Sequence, residues 1–106
     1  MSPQKAYLIT IIVQKKIGQR AIDAALKAGA YGATYFQAEG TGARQKMGPM
    51  GAFVDTGKQI VQIVANETRT DIVLKAVTEA TKLNEPGQGF AYVQEVVRTV
   101  GLSVGD

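Results

Sequence analysis

Residues 59–83, QIVQIVANETRTDIVLKAVTEATKL, decide the fold because a strand pattern runs directly into a helix pattern. In residues 59–65 the side chains divide between two alternating faces, each with β-branched residues, which is typical of a strand. The residues that follow predict a helix capped by Thr70, with Asp71 near its positive end and Lys82 near its negative end. The buried stripe of this helix is predicted to consist of Val73, Ala76, Val77, Ala80 and Leu83.

The first half of the chain repeats this order of patterns. Residues 7–13, YLITIIV, predict a strand, and residues 17–28 predict a helix that Gly29 ends. Residues 34–38 predict a second strand, which ends at Gly40.

The end of the chain supplies the last strand. Pro86 and Gly87 are predicted to stop the second helix, and residues 90–97 predict a strand after them. The whole order is a β-α-β unit stated twice. It predicts the α+β class, as a ferredoxin-like βαββαβ sandwich in which residues 1–106 form a single domain.

Two helices can cover only one face of a four-stranded sheet. In the first strand both faces are apolar, with Leu8 and Ile12 on one side and Ile9 and Ile11 on the other. The uncovered face is therefore expected to pack against other copies of the chain, which predicts a homo-oligomer.

The composition excludes several classes of function. The 106 residues contain no cysteine and no histidine, so thiolate chemistry, the usual neutral-pH base and the commonest metal ligand are missing. The sequence contains no recognisable nucleophile-base pair and no paired carboxylates. The chain is therefore predicted not to be an enzyme and not to bind a metal ion. A net charge of +3 is too small for a duplex-binding protein, so nucleic acid is not expected as a partner. The N-terminus lacks a membrane span and a small-residue cleavage site, and a cytoplasmic location is expected.

Two glycine-containing segments could bind an anion. Residues 40–57 carry several glycines and Pro49 and predict a long flexible loop, in which Arg44 and Lys46 stand beside Gly40 and Gly42. Residues 84–89, NEPGQG, provide a second pair of glycines before the last strand. Taken separately, the first segment is better explained as a flexible turn with solvated charges, and the second as a helix stop with a tight turn.

These segments resemble motifs of one family. Residues 40–46, GTGARQK, resemble the G-F-G-R-Q-K motif that begins the flexible T-loop of P-II nitrogen-regulatory proteins, and residues 87–89, GQG, look like the G-D-G nucleotide loop of those proteins. Residues 95–98, EVVR, are similar to the family segment that carries a phosphate-binding arginine. The resemblance implies a homotrimer that binds an adenine nucleotide in clefts between subunits and regulates a protein partner, with a membrane transporter as one expected class.

The resemblance also implies the residues that hold the nucleotide. Arg98 would reach the phosphates from a neighbouring subunit, while Thr34 and Val64 would meet the adenine base. Lys58 would close the loop, and Gln45 would also help to hold Mg²⁺. The predicted nucleotide-binding residues are Thr34, Gly40, Gly42, Arg44, Gln45, Lys58, Val64, Gly87, Gln88, Gly89 and Arg98. The predicted partner-binding residues in the loop are Lys46, Met47, Met50 and Phe53, although the apolar ones among them could equally fold back on the subunit.

The sequence also departs from the family pattern. Phe90 stands where the family has a lysine, Val100 where it has a second arginine, and Gln88 where it has an aspartate. Because each charge-assisted contact to phosphate is worth about 1.5–3 kcal/mol, the loss of cations favours ADP or AMP over ATP. A trimeric metal-handling or scaffold protein on the same fold is the alternative function.

Overall fold

The computed structural model describes residues 5–40 and 57–102, which form a four-stranded antiparallel sheet and two α-helices. The sheet has the order β2-β3-β1-β4. This arrangement confirms the predicted ferredoxin-like α+β fold. The elements are β1 (Ala6–Gln14), α1 (Gly18–Lys27), β2 (Thr34–Glu39), β3 (Gly57–Asn66), α2 (Glu67–Thr81) and β4 (Gly89–Val96), with a short 3-10 turn (Lys15–Ile17) before α1.

The core lies between one face of the sheet and the two helices. Ile9 of β1 is the register partner of Ile63 in β3, and Ile11 is the partner of Val61. These four side chains are almost fully buried, and they belong to one cluster with residues of both helices. From α1 the cluster takes Ala21, Ile22 and Ala25, and from α2 it takes Val73 and Val77. Burying a side chain of the valine or isoleucine size contributes about 1.5–3 kcal/mol, so this layer holds the helices on the sheet.

The first helix ends where the sequence predicts. Ala28 is its C-cap residue, and Gly29 follows with φ of +99°, a conformation that glycine adopts without a steric penalty. The guanidinium of Arg69 lies against Gly29 and donates to the Ala28 carbonyl oxygen over 3.1 Å. This contact ties the end of α1 to the beginning of α2.

The predicted limits of the second helix are wrong at both ends. Asn66 rather than Thr70 is the N-cap residue, because its side-chain oxygen accepts a hydrogen bond from the Arg69 amide at 2.8 Å. Thr70 is buried inside the helix, where its hydroxyl donates to the Asn66 carbonyl oxygen. The helix stops at Lys82, which takes the left-handed conformation with φ of +54°, so it ends before Pro86 and Gly87 are reached.

Neither described helix packs on the second face of the sheet, which we call the open face. The strand register aligns Phe36, Ile60, Ile12 and Phe90 in one row across all four strands. Phe36 is 48% exposed and Phe90 is 56% exposed, and the Phe90 ring stacks on Tyr92 with 6.1 Å between ring centroids. The open face thus carries an apolar row, and its packing against other copies of the chain stays a prediction.

Neither of the two described helices is both long enough and apolar enough to cross a membrane.

Candidate functional site

Four chain segments meet at one end of the sheet, which we call the loop end. Strands β1 and β2 finish there at Gln14 and Glu39, and strands β3 and β4 begin there at Gly57 and Gly89. Gly57 belongs to β3, so the predicted loop over residues 40–57 is one residue too long on that side. Of the predicted nucleotide-binding residues, Gly40, Lys58, Gly87, Gln88 and Gly89 all lie at the loop end.

The loop end is as wide as the sheet. Gly40 follows the edge strand β2, whereas residues 87–89 precede the opposite edge strand β4. Three strand spacings separate the two edges, which corresponds to about 14 Å. Lys58 stands between them and pairs with Ala38 on one side and with Gln14 on the other. A ligand with several phosphates could span this distance, but one phosphate could not contact both edges.

The turn over residues 87–89 is built on glycine conformations. Gly87 has φ of +81° and Gly89 has φ of +132°, both in the range that other residues rarely adopt. A Cβ atom on Gly89 would collide with the Ile12 carbonyl oxygen and would lie 3.0 Å from the Cα atom of Val13. The backbone of the turn therefore packs directly on the end of β1, as glycine segments do where a backbone must approach closely.

Two hydrogen bonds hold the peptide that joins Gly87 to Gln88. The Gln14 side-chain amide donates to the Gly87 carbonyl oxygen at 3.3 Å. The Gln88 amide donates to the Glu85 carbonyl oxygen at 3.4 Å. Gln14 is a residue that the sequence reasoning missed, because nothing in its local pattern links it to a turn more than seventy positions away.

The remaining predicted residues within the described ranges, Arg98, Thr34 and Val64, lie away from the loop end. Arg98 follows β4, and the eight residues of that strand, about 25 Å in length, separate it from Gly89. The structure therefore does not bring Arg98 to the glycine turn within one chain. Arg98 is solvent-exposed, and its neighbours Val97 and Val100 are 89% and 97% exposed.

Thr34 and Val64 lie on the open face. Thr34 pairs with Gln62 of β3, and Val64 is the next residue of β3 on the same side of the sheet. Gln62 stands between the two predicted base-contacting residues and was missed by the sequence reasoning. The alternation of side chains along β3 predicts that Gln62 shares a face with Ile60 and Val64. Only the pairing of β3 with β2 shows that Gln62 is next to Thr34.

A shallow cleft of about 320 Å³ also lies at the loop end. Its lining residues are Lys15, Gln37, Ala38, Glu39 and Gly57. This volume is at the lower limit for small-molecule pockets. The Lys15 and Glu39 side chains bring opposite charges to this cleft, so it has no net charge that favours a phosphate.

The described residues contain no group of three or more acidic side chains that could bind a metal ion. The predicted residues Gly42, Arg44, Gln45, Lys46, Met47, Met50 and Phe53 lie outside the described residues.

The family profile described as "Nitrogen regulatory protein P-II" matches residues 6–104, nearly the whole chain. The chain belongs to the P-II family. P-II proteins are regulatory and non-catalytic, and they form trimers that regulate partner proteins such as transporters. The resemblance inferred from the glycine motifs is therefore confirmed at the level of the family.

Solved P-II structures share the fold of this chain. The structure of Arabidopsis thaliana PII bound to citrate has a TM-score of 0.67 and 25% identity, covering 88% of this chain and 78% of the other. Bacillus subtilis GlnK in its ATP complex has a TM-score of 0.71 and 17% identity, covering 94% and 89% respectively. A second structure of B. subtilis GlnK has a TM-score of 0.70 and 18% identity, covering 96% and 94%. No curated protein sequence matches the chain.

An aromatic side chain stands at the start of β4. Phe90 lies on the open face in the same row as Ile12. Its ring stacks on Tyr92 rather than presenting a charge to the glycine turn. The described part of the loop end therefore has Lys58 as a cation on the strands and Lys15 as a cation just after β1.

Proposed function

We propose that this P-II protein is a non-catalytic signalling subunit that binds an adenine nucleotide between the subunits of a homotrimer. The nucleotide would contact the glycine turn of one subunit together with Arg98, Thr34 and Val64 of its neighbour. Residues 40–57 would then regulate a protein partner, for which a membrane transporter is the proposed class. P-II proteins are generally cytoplasmic, and the same location is proposed for this chain.

One observation carries the intersubunit part of the proposal. Gly87 and Arg98 lie at opposite ends of β4, so a phosphate on the glycine turn of one chain is out of reach of the arginine of that chain. A second subunit is the simplest source of the missing cation. The exposed apolar residues Val97 and Val100 near Arg98 also support a neighbouring subunit at this place, because a second subunit would cover them.

The open face supports the trimer. It carries the row of Phe36, Ile60, Ile12 and Phe90, in which both aromatic rings are about half exposed. Rows of this kind are found in interfaces, where their burial supplies the favourable free energy of association. An isolated subunit would leave this area in contact with water.

The preferred nucleotide depends on how many positively charged side chains are available to contact its phosphates. With a phenylalanine at position 90 and a valine at position 100, two charge-assisted phosphate contacts of the family pattern have no donor. We therefore propose ADP or AMP as the favoured ligand and ATP as a weaker one. Mg²⁺ would be held, if at all, through the phosphates and Gln45. The B. subtilis GlnK complex contains ATP, and the A. thaliana protein contains citrate.

Calorimetric titration tests the proposal. The protein is titrated with ATP, ADP, AMP and cyclic AMP, each with and without Mg²⁺. Ultracentrifugation at the same protein concentration gives the mass of the assembly. Saturable binding of one nucleotide per chain, with ADP or AMP tighter than ATP, is the expected result. Absence of heat and of a thermal shift with all four compounds would refute nucleotide sensing. A thermal shift with a divalent metal and no nucleotide would favour the metal-handling alternative.

A further inference from the structure

Gln14 is the last residue of β1, and no part of the P-II motif includes it. We propose that Gln14 is a positioning residue that fixes the orientation of the Gly87–Gln88 peptide in the glycine turn. The consequence for ligand binding rests on the proposed nucleotide site, whereas the effect on the turn itself does not.

The geometry of the peptide unit is the first step of the argument. In a trans peptide the carbonyl oxygen and the amide hydrogen point in opposite directions. The Gly87 carbonyl oxygen accepts from Gln14 at 3.3 Å, and the Gln88 amide of the same peptide donates to Glu85 at 3.4 Å. The unit is thus held at both ends, and both hydrogen bonds are long enough that neither alone would fix it strongly.

Glycine at position 87 makes this restraint necessary. With φ of +81° and no Cβ atom, Gly87 has access to more backbone conformations than any other residue would have there. A turn that binds an anion loses affinity in proportion to the time that its backbone spends in conformations that cannot bind. A side-chain hydrogen bond to the Gly87 carbonyl oxygen removes part of that freedom before the ligand arrives.

The position of Gln14 in the sheet explains why it can act in this way. It pairs with Lys58 in β3, and the two residues stand on the open face beside Ala38. The preceding residues of β1, Ile12 and Val13, are those on which Gly89 packs. The sheet therefore holds the backbone of Gln14 in place. Gly89, at one end of the turn, packs on β1, and the Gln14 side chain bonds to Gly87 at the other end. Because Gln14 pairs with Lys58, this bond also links the turn to β3.

The test replaces the amide by an apolar group of similar length, Gln14→Met, in the full chain without nucleotide. Fast hydrogen-exchange NMR at the Gln88 amide is the first readout. Loss of one neutral hydrogen bond is expected to raise the exchange rate at Gln88 about two- to tenfold, with the rates of the β3 amides unchanged. Gln19→Met is the matched control, because Gln19 donates to Asp23 on the exposed side of α1. An unchanged Gln88 rate in Gln14→Met would overturn the proposal.

The second readout is nucleotide affinity by calorimetry. Gln14→Met is expected to weaken binding of the preferred nucleotide about two- to tenfold, and Gln19→Met to leave it unchanged. Faster exchange with unaltered affinity would overturn the role of Gln14 in binding. If the native protein binds no nucleotide, the proposed function fails while the exchange measurement still decides whether Gln14 positions the turn. Should Gln14→Met not fold, Gln14→Glu removes the same donor with a side chain of the same shape.

Discussion

Replacing Gly89 by alanine tests the contact that sets the glycine turn on the sheet. The added Cβ atom would collide with the Ile12 carbonyl oxygen and press on Val13, both of which are backbone groups held in β1. A residue other than glycine at φ of +132° also carries a backbone penalty. The penalty for a disfavoured backbone conformation is about 1–3 kcal/mol, and overpacking costs about 1–3 kcal/mol more. Together they predict a loss of about 2–6 kcal/mol of unfolding free energy.

Two further glycines separate these contributions. Gly101 has φ of +80° with no atom within 4 Å of its Cβ position, so Gly101→Ala tests the backbone penalty alone. Gly32 has open space and no positive φ, so Gly32→Ala is expected to be neutral or to stabilise the protein by about 0.4–1 kcal/mol. The predicted order of stability is Gly32→Ala above Gly101→Ala above Gly89→Ala.

Urea unfolding of the nucleotide-free protein at one fixed concentration measures these differences, because the apparent stability of an oligomer depends on concentration. A loss of about 2–6 kcal/mol would be a large part of the roughly 5–15 kcal/mol typical of a whole domain. If Gly89→Ala were as stable as Gly101→Ala, within about 0.5 kcal/mol, the close approach of the turn to β1 would be refuted.

The remaining predictions concern the helix cap, the interface and the ligand site. Asn66→Ala removes the side-chain oxygen that accepts from the Arg69 amide and is expected to destabilise the protein by about 1 kcal/mol in thermal unfolding. Thr70→Val changes the cap residue that the sequence predicts and is expected to leave the bond between Asn66 and Arg69 in place. Ile60→Glu places a charge on the open face and is expected to convert the assembly to monomers in ultracentrifugation, whereas Glu67→Gln at the exposed start of α2 should leave its mass unchanged. Phe90→Lys is expected to tighten ATP at least about tenfold relative to AMP in calorimetry, because it adds a charge-assisted phosphate contact.

Each of these outcomes has a contrary result. An Asn66→Ala protein that unfolds at the same temperature as the native protein would contradict the assigned cap. Retention of the native mass by Ile60→Glu at micromolar concentration would remove the open face from the interface. An unchanged ratio of ATP to AMP affinity in Phe90→Lys would mean that position 90 does not face the phosphates in the assembly.

The fold could be predicted from sequence because its signals are local. Alternation in residues 59–65 and in residues 7–13 gives the strands, and Gly29 marks a helix end through its own backbone preference. The second helix was misplaced for an equally local reason. Both Asn66 and Thr70 are good cap residues, and the sequence does not show that Thr70 is one turn inside a helix that begins at Glu67.

The site was predictable only in part because it depends on distant pairings. Motifs supplied Gly87, Gly89 and Arg98, but the length of β4, which keeps Arg98 away from the turn, required the structure. Gln14 and Gln62 carry no motif, and their relevance comes from which residues stand beside them across the sheet.

Subunit complementation tests the central claim most directly. Gly87→Asp places a negative charge in the turn, and Arg98→Ala removes the cation proposed to come from the neighbour. Neither variant alone should bind ADP. Unfolding and reassembling them together at equal ratio should restore about one site in four, because that fraction of clefts combines an intact turn with an intact arginine in a cyclic trimer. Calorimetry that detects no more binding in the mixture than in the two separate variants would contradict a site shared between subunits.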